Sequence, residues 1–174
     1  MAKQKHIALD FEIDKLTNSI ENKLTGESFP TEVSQLTFEE LNKVTADKTW
    51  QFDWGKEHRT PTYKIYKLTT VAEPQTIQGL ISIKIDRDHV FLSLVESAKH
   101  NFGKNKTYAG IPGNLVAFAC KVSVENGFDG FVAFVPKTQL IEHYKQTLGA
   151  VQFRNRMFIM PPKAKQLIQQ YFNT

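Results

Sequence analysis

The sequence predicts an α/β (α+β) domain, in which an antiparallel meander leads into a mixed central sheet held between flanking helices. Two changes of period carry this. From Tyr63 to Glu96 the apolar residues recur every second position in three runs, "TYKIYKL", "IQGLISIKI" and "VFLSLVE", divided by the turns "VAEPQ" and "DRDH", as neighbouring antiparallel strands require. Beyond Glu96 helical spacing takes over and alternates with the unbroken apolar run "FVAFVPK", which suits an interior strand of a partly parallel sheet. No repeat, low-complexity tract or long charge run divides the chain. A single domain over 1–174 is expected, with an N-terminal extension at about 1–36 and a C-terminal helix at about 162–172.

In chain order, the stretch from Asp10 to Thr37 mixes short strand-like pieces with Gly26 and Pro30 and predicts an irregular hairpin leading into "TEVSQLT". Thr37 and Glu40 have capping-box spacing, and Phe38, Leu41 and Val44 share the following helical face, so a short helix ends before Trp50. Alternation in "TWQFDWGKEHR" puts Trp50, Phe52 and Trp54 on one side, as core or as the wall of a pocket. In the middle strand of the meander Ile81, Ile83 and Ile85 face one way and Ser82 and Lys84 the other.

After the polar stretch "SAKHNFGKNKTYAGIPG", Leu115, Phe118, Ala119 and Val122 repeat at helical spacing, while Val116, Cys120 and Val124 fill the adjacent face. A well-buried helix stopped by Gly127 follows from that. Thr138 is placed to cap a further helix with Leu140, Ile141 and Tyr144 facing inward and Gly149 at its end. "AVQF" and "RMFIM" make a strand pair about the turn "RNR", and Pro162 starts a terminal helix striped by Ala164, Leu167, Ile168 and Tyr171.

Composition narrows the class. A length of 174 residues with 41% hydrophobic content is enough for one good core. The single cysteine, Cys120, has no partner within the chain and apolar neighbours, which predicts a reduced interior thiol. "MAKQKHIALDFEIDKL" lacks the apolar core of a signal peptide, and no run approaches membrane-spanning length, so a cytoplasmic protein is expected. The formal charge of +4 leans towards an anionic partner. No nucleic-acid-binding signature accompanies it. Zinc-ligand spacing, a G-x-S-x-G elbow and a lysine following a glycine loop as in P-loop proteins are all missing, which removes common metal, hydrolase and NTPase readings.

One stretch, "YAGIPGNLVAFACK", does point to chemistry. A strand feeding a glycine loop and then a helix gathers free backbone N–H groups and the positive end of the helix dipole at one place. Gly110 and Gly113 clear side chains from the path of an approaching phosphate, Pro112 fixes the backbone, and Lys99, Lys104 and Lys106 stand ready to screen negative charge.

This order of elements, with that loop, resembles the GNAT superfamily of acyl-CoA-dependent N-acyltransferases. The family carries Q/R-x-x-G-x-G/A between its fourth strand and third helix, where backbone amides bind the coenzyme A pyrophosphate. Gly110, Ile111 and Pro112 fall on the G-x-G/A part and Leu115 on the apolar residue after it. Thr107 stands at the usual Gln/Arg position and Pro112 at the second glycine or alanine, with Gly113 next to it. The resemblance spans about Tyr63 to Met160 and implies a GNAT-like mixed central sheet. It also implies that acetyl-CoA, as co-substrate, lies against Leu94, Val95, Lys106, Thr107, Ala109, Gly110, Ile111, Pro112, Gly113 and Asn114.

A second match is "TQLIEHYKQTLGA", similar to a later helix of the family in which a tyrosine precedes a glycine. It makes Tyr144 the implied general acid towards the departing thiolate, with a core tyrosine as the alternative. The backbone about Leu94 and Val95 resembles the family's thioester-binding strand end, and Glu96, closing that strand, could take the amine proton or serve as an ordinary strand-end carboxylate. His100 and His143 are secondary proton-relay candidates. The implied activity is transfer of an acetyl group to a primary amine on a small molecule or peptide, without a metal, a membrane or nucleic acid, and with a homodimer as an option. A GNAT-like module that binds or regulates without turnover is the competing reading.

Overall fold

The computed structural model describes residues 7–17 and 19–172. Its meander is β4 (Tyr63–Thr70), β5 (Gly79–Ile85) and β6 (Val90–Ser97), antiparallel throughout. With β3 (Thr31–Gln35), β8 (Val132–Phe134), β9 (Val151–Phe153) and β10 (Arg156–Ile159) it forms one seven-stranded sheet of order β3-β4-β5-β6-β8-β10-β9. Among the seven strands of this sheet, only β6 and β8 pair in parallel. The central parallel pair therefore joins an antiparallel meander to an antiparallel tail, and the predicted α+β class is what forms.

The remaining strands, β1 (Ile20–Asn22), β2 (Ser28–Phe29) and β7 (Tyr108–Ala109), make a separate three-stranded sheet. Part of the segment anticipated as an extension is thus woven into the domain: β1 and β2 form the expected hairpin across Gly26, and β3 is the edge of the main sheet.

Helix α1 (Phe38–Ala46) has the anticipated capping box, with the Thr37 side chain accepting from the Glu40 amide and Glu40 accepting from the Thr37 amide. Helix α2 (Trp54–His58) is where the sequence reading fails locally. The expected alternation of Trp50, Phe52 and Trp54 is broken because Asp53 caps a helix that starts at Trp54, which buries that indole in the core. Trp50 and Phe52 stay half-buried against it.

Helix α3 (Ile111–Glu125) begins inside the stretch read as the polar loop, at Ile111. Gly110 is left-handed at φ 95°, which turns the chain sharply enough for Ile111 to be the first helical residue and leaves Pro112 in the first turn, where its missing N–H costs nothing. The helix packs across β5, β6 and α5 (Pro161–Phe172). Helix α4 (Ile141–Leu148) lacks the Thr138 cap expected of it. A short 3-10 turn, Thr138–Leu140, precedes it instead and uses the Lys137 carbonyl for the Leu140 amide.

Cys120 lies fully buried on α3, and burial pushes its thiol up to about 12. The native protein is expected to resist a thiol-specific reagent at pH 8 and to react with one equivalent on unfolding. Above roughly 8.5, the ordinary thiol value, the unfolded chain ionises first. This group therefore subtracts stability as pH rises towards 12 and leaves it unaffected below that window.

Candidate functional site

Strand β6 pairs with β5 from Val90 to Ser97, but with β8 only at Val90↔Val132 and Phe91↔Ala133. Its register against β5 passes from Ser82↔Leu94 to Ile83↔Leu92, which leaves Ser93 as an extra residue on β6. Such a bulge bends and twists the strand that carries it. The Ser93 hydroxyl donates to the buried Glu57 carboxylate at 2.6 Å, which fastens the bend. Past it, β6 and β8 part, and a cleft of about 660 Å³ lies against Val95, Glu96 and Ser97.

Glu96 is held at this strand end by three donors. One carboxylate oxygen accepts the Gln51 amide at 2.6 Å, and the other accepts the Phe52 amide at 3.2 Å and the Trp54 indole N–H at 2.9 Å. Glu96 lines the cleft, and the segment before α2 fixes the orientation of its carboxylate. A carboxylate offers about four acceptor positions, so this cage leaves one for an incoming N–H. Leu94 and Val95 are buried in the core, and Val95 also borders the cleft.

The predicted anion loop also meets the cleft. Lys99, Lys104, Lys106 and Pro112 line it, joined by Lys23 from the β1–β2 hairpin. The Thr107 amide donates to the His100 carbonyl at 2.7 Å, and Ala109 pairs with Glu21 in the small sheet, so both shape the loop through its backbone. Ile111, Pro112, Gly113 and Asn114 form the buried first turn of α3. His100 sits in a 3-10 turn with Nε2 at 2.7 Å from the Gln78 side-chain oxygen, and burial lowers its pKa below the usual imidazole value.

An anion already stands on this loop. The Asp14 carboxylate accepts the Gly110 amide at 3.2 Å and pairs with Lys106 at 2.8 Å. That a carboxylate settles between a left-handed glycine amide and a lysine shows that the loop has the donor set for an oxyanion.

Asp14 belongs to residues 9–17, which run through the same region. Leu9 bridges Pro136 in parallel, donating to the Val135 carbonyl at 2.7 Å and accepting the Lys137 amide at 2.9 Å. Tyr144, on α4, donates its hydroxyl to the Phe11 carbonyl at 2.6 Å, and its ring is fully buried against Phe11 and Phe134. Burial, then the charges of Asp10 and Glu12, raises its phenol pKa above the ordinary range. Neighbouring His143 accepts the Ile13 amide at Nε2, 2.8 Å away. Tyr144 and Glu96 are therefore not brought into contact: Glu96 lines the cleft, and Tyr144 lies behind residues 9–13.

Searches with the sequence found no matching family model and no matching curated protein. Solved structures do match. The spermidine N-acetyltransferase from Vibrio cholerae in complex with CoA and spermine is similar over 78% of this chain and 98% of its own, at a TM-score of 0.57 and 11% identity. The chain has the GNAT fold. AtaTR bound with acetyl-CoA matches 79% of this chain and 98% of its own at a TM-score of 0.53 and 14% identity. The ribosomal-protein-S18-alanine N-acetyltransferase from Escherichia coli matches 74% and 90% at 0.53 and 10%. At such identities the shared property is the fold.

Within this GNAT fold, the loop and the strand end that the sequence singled out both border the cleft, whereas Asp14, Phe11 and the Glu96 cage were not anticipated. The bonds from Asp14 to Gly110 and from Tyr144 to Phe11 span 96 and 133 residues, beyond any local pattern. One signal was available: "DFEID" alternates polar and apolar residues, the mark of an extended segment with one face buried. Among the described residues, no helix is long and apolar enough to cross a membrane, and no three His, Cys, Asp or Glu side chains gather to hold a metal ion.

Proposed function

We propose that this chain is an acyl-CoA-dependent N-acyltransferase, moving an acetyl group from acetyl-CoA to a primary amine by direct attack. The observation that carries this is the parting of β6 from β8, which opens a cleft bordered by a caged carboxylate and by a loop able to hold an anion. The same fold in proteins solved with CoA or acetyl-CoA supports it.

In this reading the first turn of α3 (Ile111, Pro112, Gly113 and Asn114), with Lys106, Thr107, Ala109 and Gly110 before it, holds the phosphates, and the backbone at Leu94 and Val95 orients the acyl group. Bound acetyl-CoA would supply a thioester carbonyl there. Glu96 takes the proton that the amine loses as its nitrogen bonds to carbon, either directly or through one water. Tyr144 returns a proton to the departing sulfur once its hydroxyl is released from Phe11. The acceptor is a small-molecule or peptide amine.

Calorimetric titration with acetyl-CoA, followed by an assay of thiol release across a panel of amines, tests the reading. Saturable binding with amine-dependent release supports it, and a folded protein that neither binds nor releases thiol overturns it. A second reading, a GNAT module that binds or regulates without turnover, is favoured by the hydroxyl of Tyr144 being committed to Phe11 and the amide of Gly110 to Asp14. Binding without turnover for any amine would select it.

A further inference from the structure

The lining of the cleft is balanced in a particular way. Its cations are Lys23, Lys99, Lys104 and Lys106; its anions are Glu96 and three carboxylates, Asp10, Glu12 and Asp14, that all come from one short segment. With that segment in place, four positive and four negative groups cancel. Without it, four lysines face a single carboxylate. A cleft with that excess would draw in a polyanion, and its low-dielectric walls would sharpen the attraction.

Several contacts made by the segment occupy groups that the acyltransferase reading uses. Asp14 takes the Gly110 amide and Lys106. Thr17 and Leu16 stand against Gly110 and Gly113 at the start of α3, and the Thr17 amide donates to the Tyr171 hydroxyl at 3.0 Å. Phe11 takes the Tyr144 hydroxyl, while Leu9 pairs along the chain that continues β8, on the side where β6 has parted from it.

We propose that residues 9–17 are an internal strap that fills the coenzyme cleft and must withdraw before CoA can bind, with the Asp14 carboxylate standing where a phosphate would stand. The proposal rests on the acyltransferase reading of the site and adds its regulation. Withdrawal does two things together: it exposes the phosphate-binding donors and frees Tyr144, so coenzyme binding and readiness for proton transfer are coupled. Apparent CoA affinity is then the intrinsic affinity reduced by the fraction of molecules with the strap out. The segment is held by the Leu9 backbone pairing, by Asp10 to Lys137, Phe11 to Tyr144, Ile13 to His143, Asp14 to Lys106 and Gly110, and Thr17 to Tyr171, and by the burial of Leu9 and Ile13 in the core. Its withdrawal is therefore a local unfolding of this segment while the domain stays folded.

The test compares the full-length protein with Asp14→Asn and with the triple variant Asp10→Asn/Glu12→Gln/Asp14→Asn. Calorimetry measures CoA binding, and hydrogen exchange reads the amides of residues 9–17 with and without CoA. The expected result is CoA binding about tenfold tighter in Asp14→Asn, tighter again in the triple variant, and loss of amide protection across residues 9–17 when wild type is saturated with CoA. Equal affinity in all three proteins, with protection of residues 9–17 unchanged by CoA, overturns the strap and leaves the acyltransferase reading standing. Tighter CoA binding in the variants without acetyl transfer to any amine keeps the strap and removes the transferase. Failure of all three to bind CoA, even where exchange shows the strap released, overturns both.

Discussion

On the acyltransferase reading, replacing Glu96 with glutamine is expected to slow acetyl transfer by about 10²- to 10⁴-fold, the range for loss of a general base, and to lower unfolding free energy by about 1–3 kcal/mol. Both effects follow from the same cage. The carboxylate accepts from the Gln51 amide on one oxygen and from the Phe52 amide and the Trp54 indole on the other. A glutamine can turn its single oxygen to one side only, so its NH2 must confront an N–H donor and leave it unsatisfied in a buried place. Steady-state kinetics beside urea denaturation separates the roles. A large fall in kcat with modest destabilisation identifies Glu96 as the base. Destabilisation of the same size with kcat within a few-fold of wild type would reduce it to the post on which the segment before α2 is hung.

Gly110→Ala is expected to destabilise the protein by about 2–4 kcal/mol, one part from backbone conformation and one from crowding. Gly110 has φ 95°, where a Cβ is disfavoured, and that Cβ would lie 2.5 Å from the Thr17 hydroxyl oxygen and 3.0 Å from the Ser19 carbonyl. Gly103→Ala separates the two parts. It also has positive φ, at 82°, but nothing lies within 4 Å of its Cβ position, so it should cost only the backbone part, about 1–2 kcal/mol. Equilibrium urea unfolding with unchanged m-values checks both. Since the crowding at Gly110 comes from residues 17 and 19, its alanine variant should also weaken amide protection at the end of the strap. Equal losses in the two variants would mean that the segment does not press on the loop.

The difference between these two glycines also measures what a sequence can convey. Both look alike in "NFGKNKTYAGIPG". The strand, glycine turn and apolar helix of this loop were legible because they are consecutive and their logic is local, with lysines nearby. Legibility ended where contacts became long-range. The indole of Trp54 reaches Glu96 across 42 residues, and nothing in "TWQFDW" signals that Asp53 will cap a helix there and turn the ring inward. Tyr144 was singled out by resemblance to a motif, but the partner of its hydroxyl was not, because the Phe11 carbonyl carries no side-chain signature.

The sequence by itself determined the meander, the buried α3, the late switch to a parallel strand and the glycine loop, since each is written as a period or a turn within a dozen or so consecutive residues. Only the tertiary structure decided that β6 bulges at Ser93 and parts from β8, that Glu96 is caged, and that residues 9–17 lie in the resulting cleft with a carboxylate on the loop. The physical reason is range. Hydrogen bonds and charge pairs between segments some 40 to 130 residues apart are fixed by how whole layers pack, and no local pattern of residues specifies them.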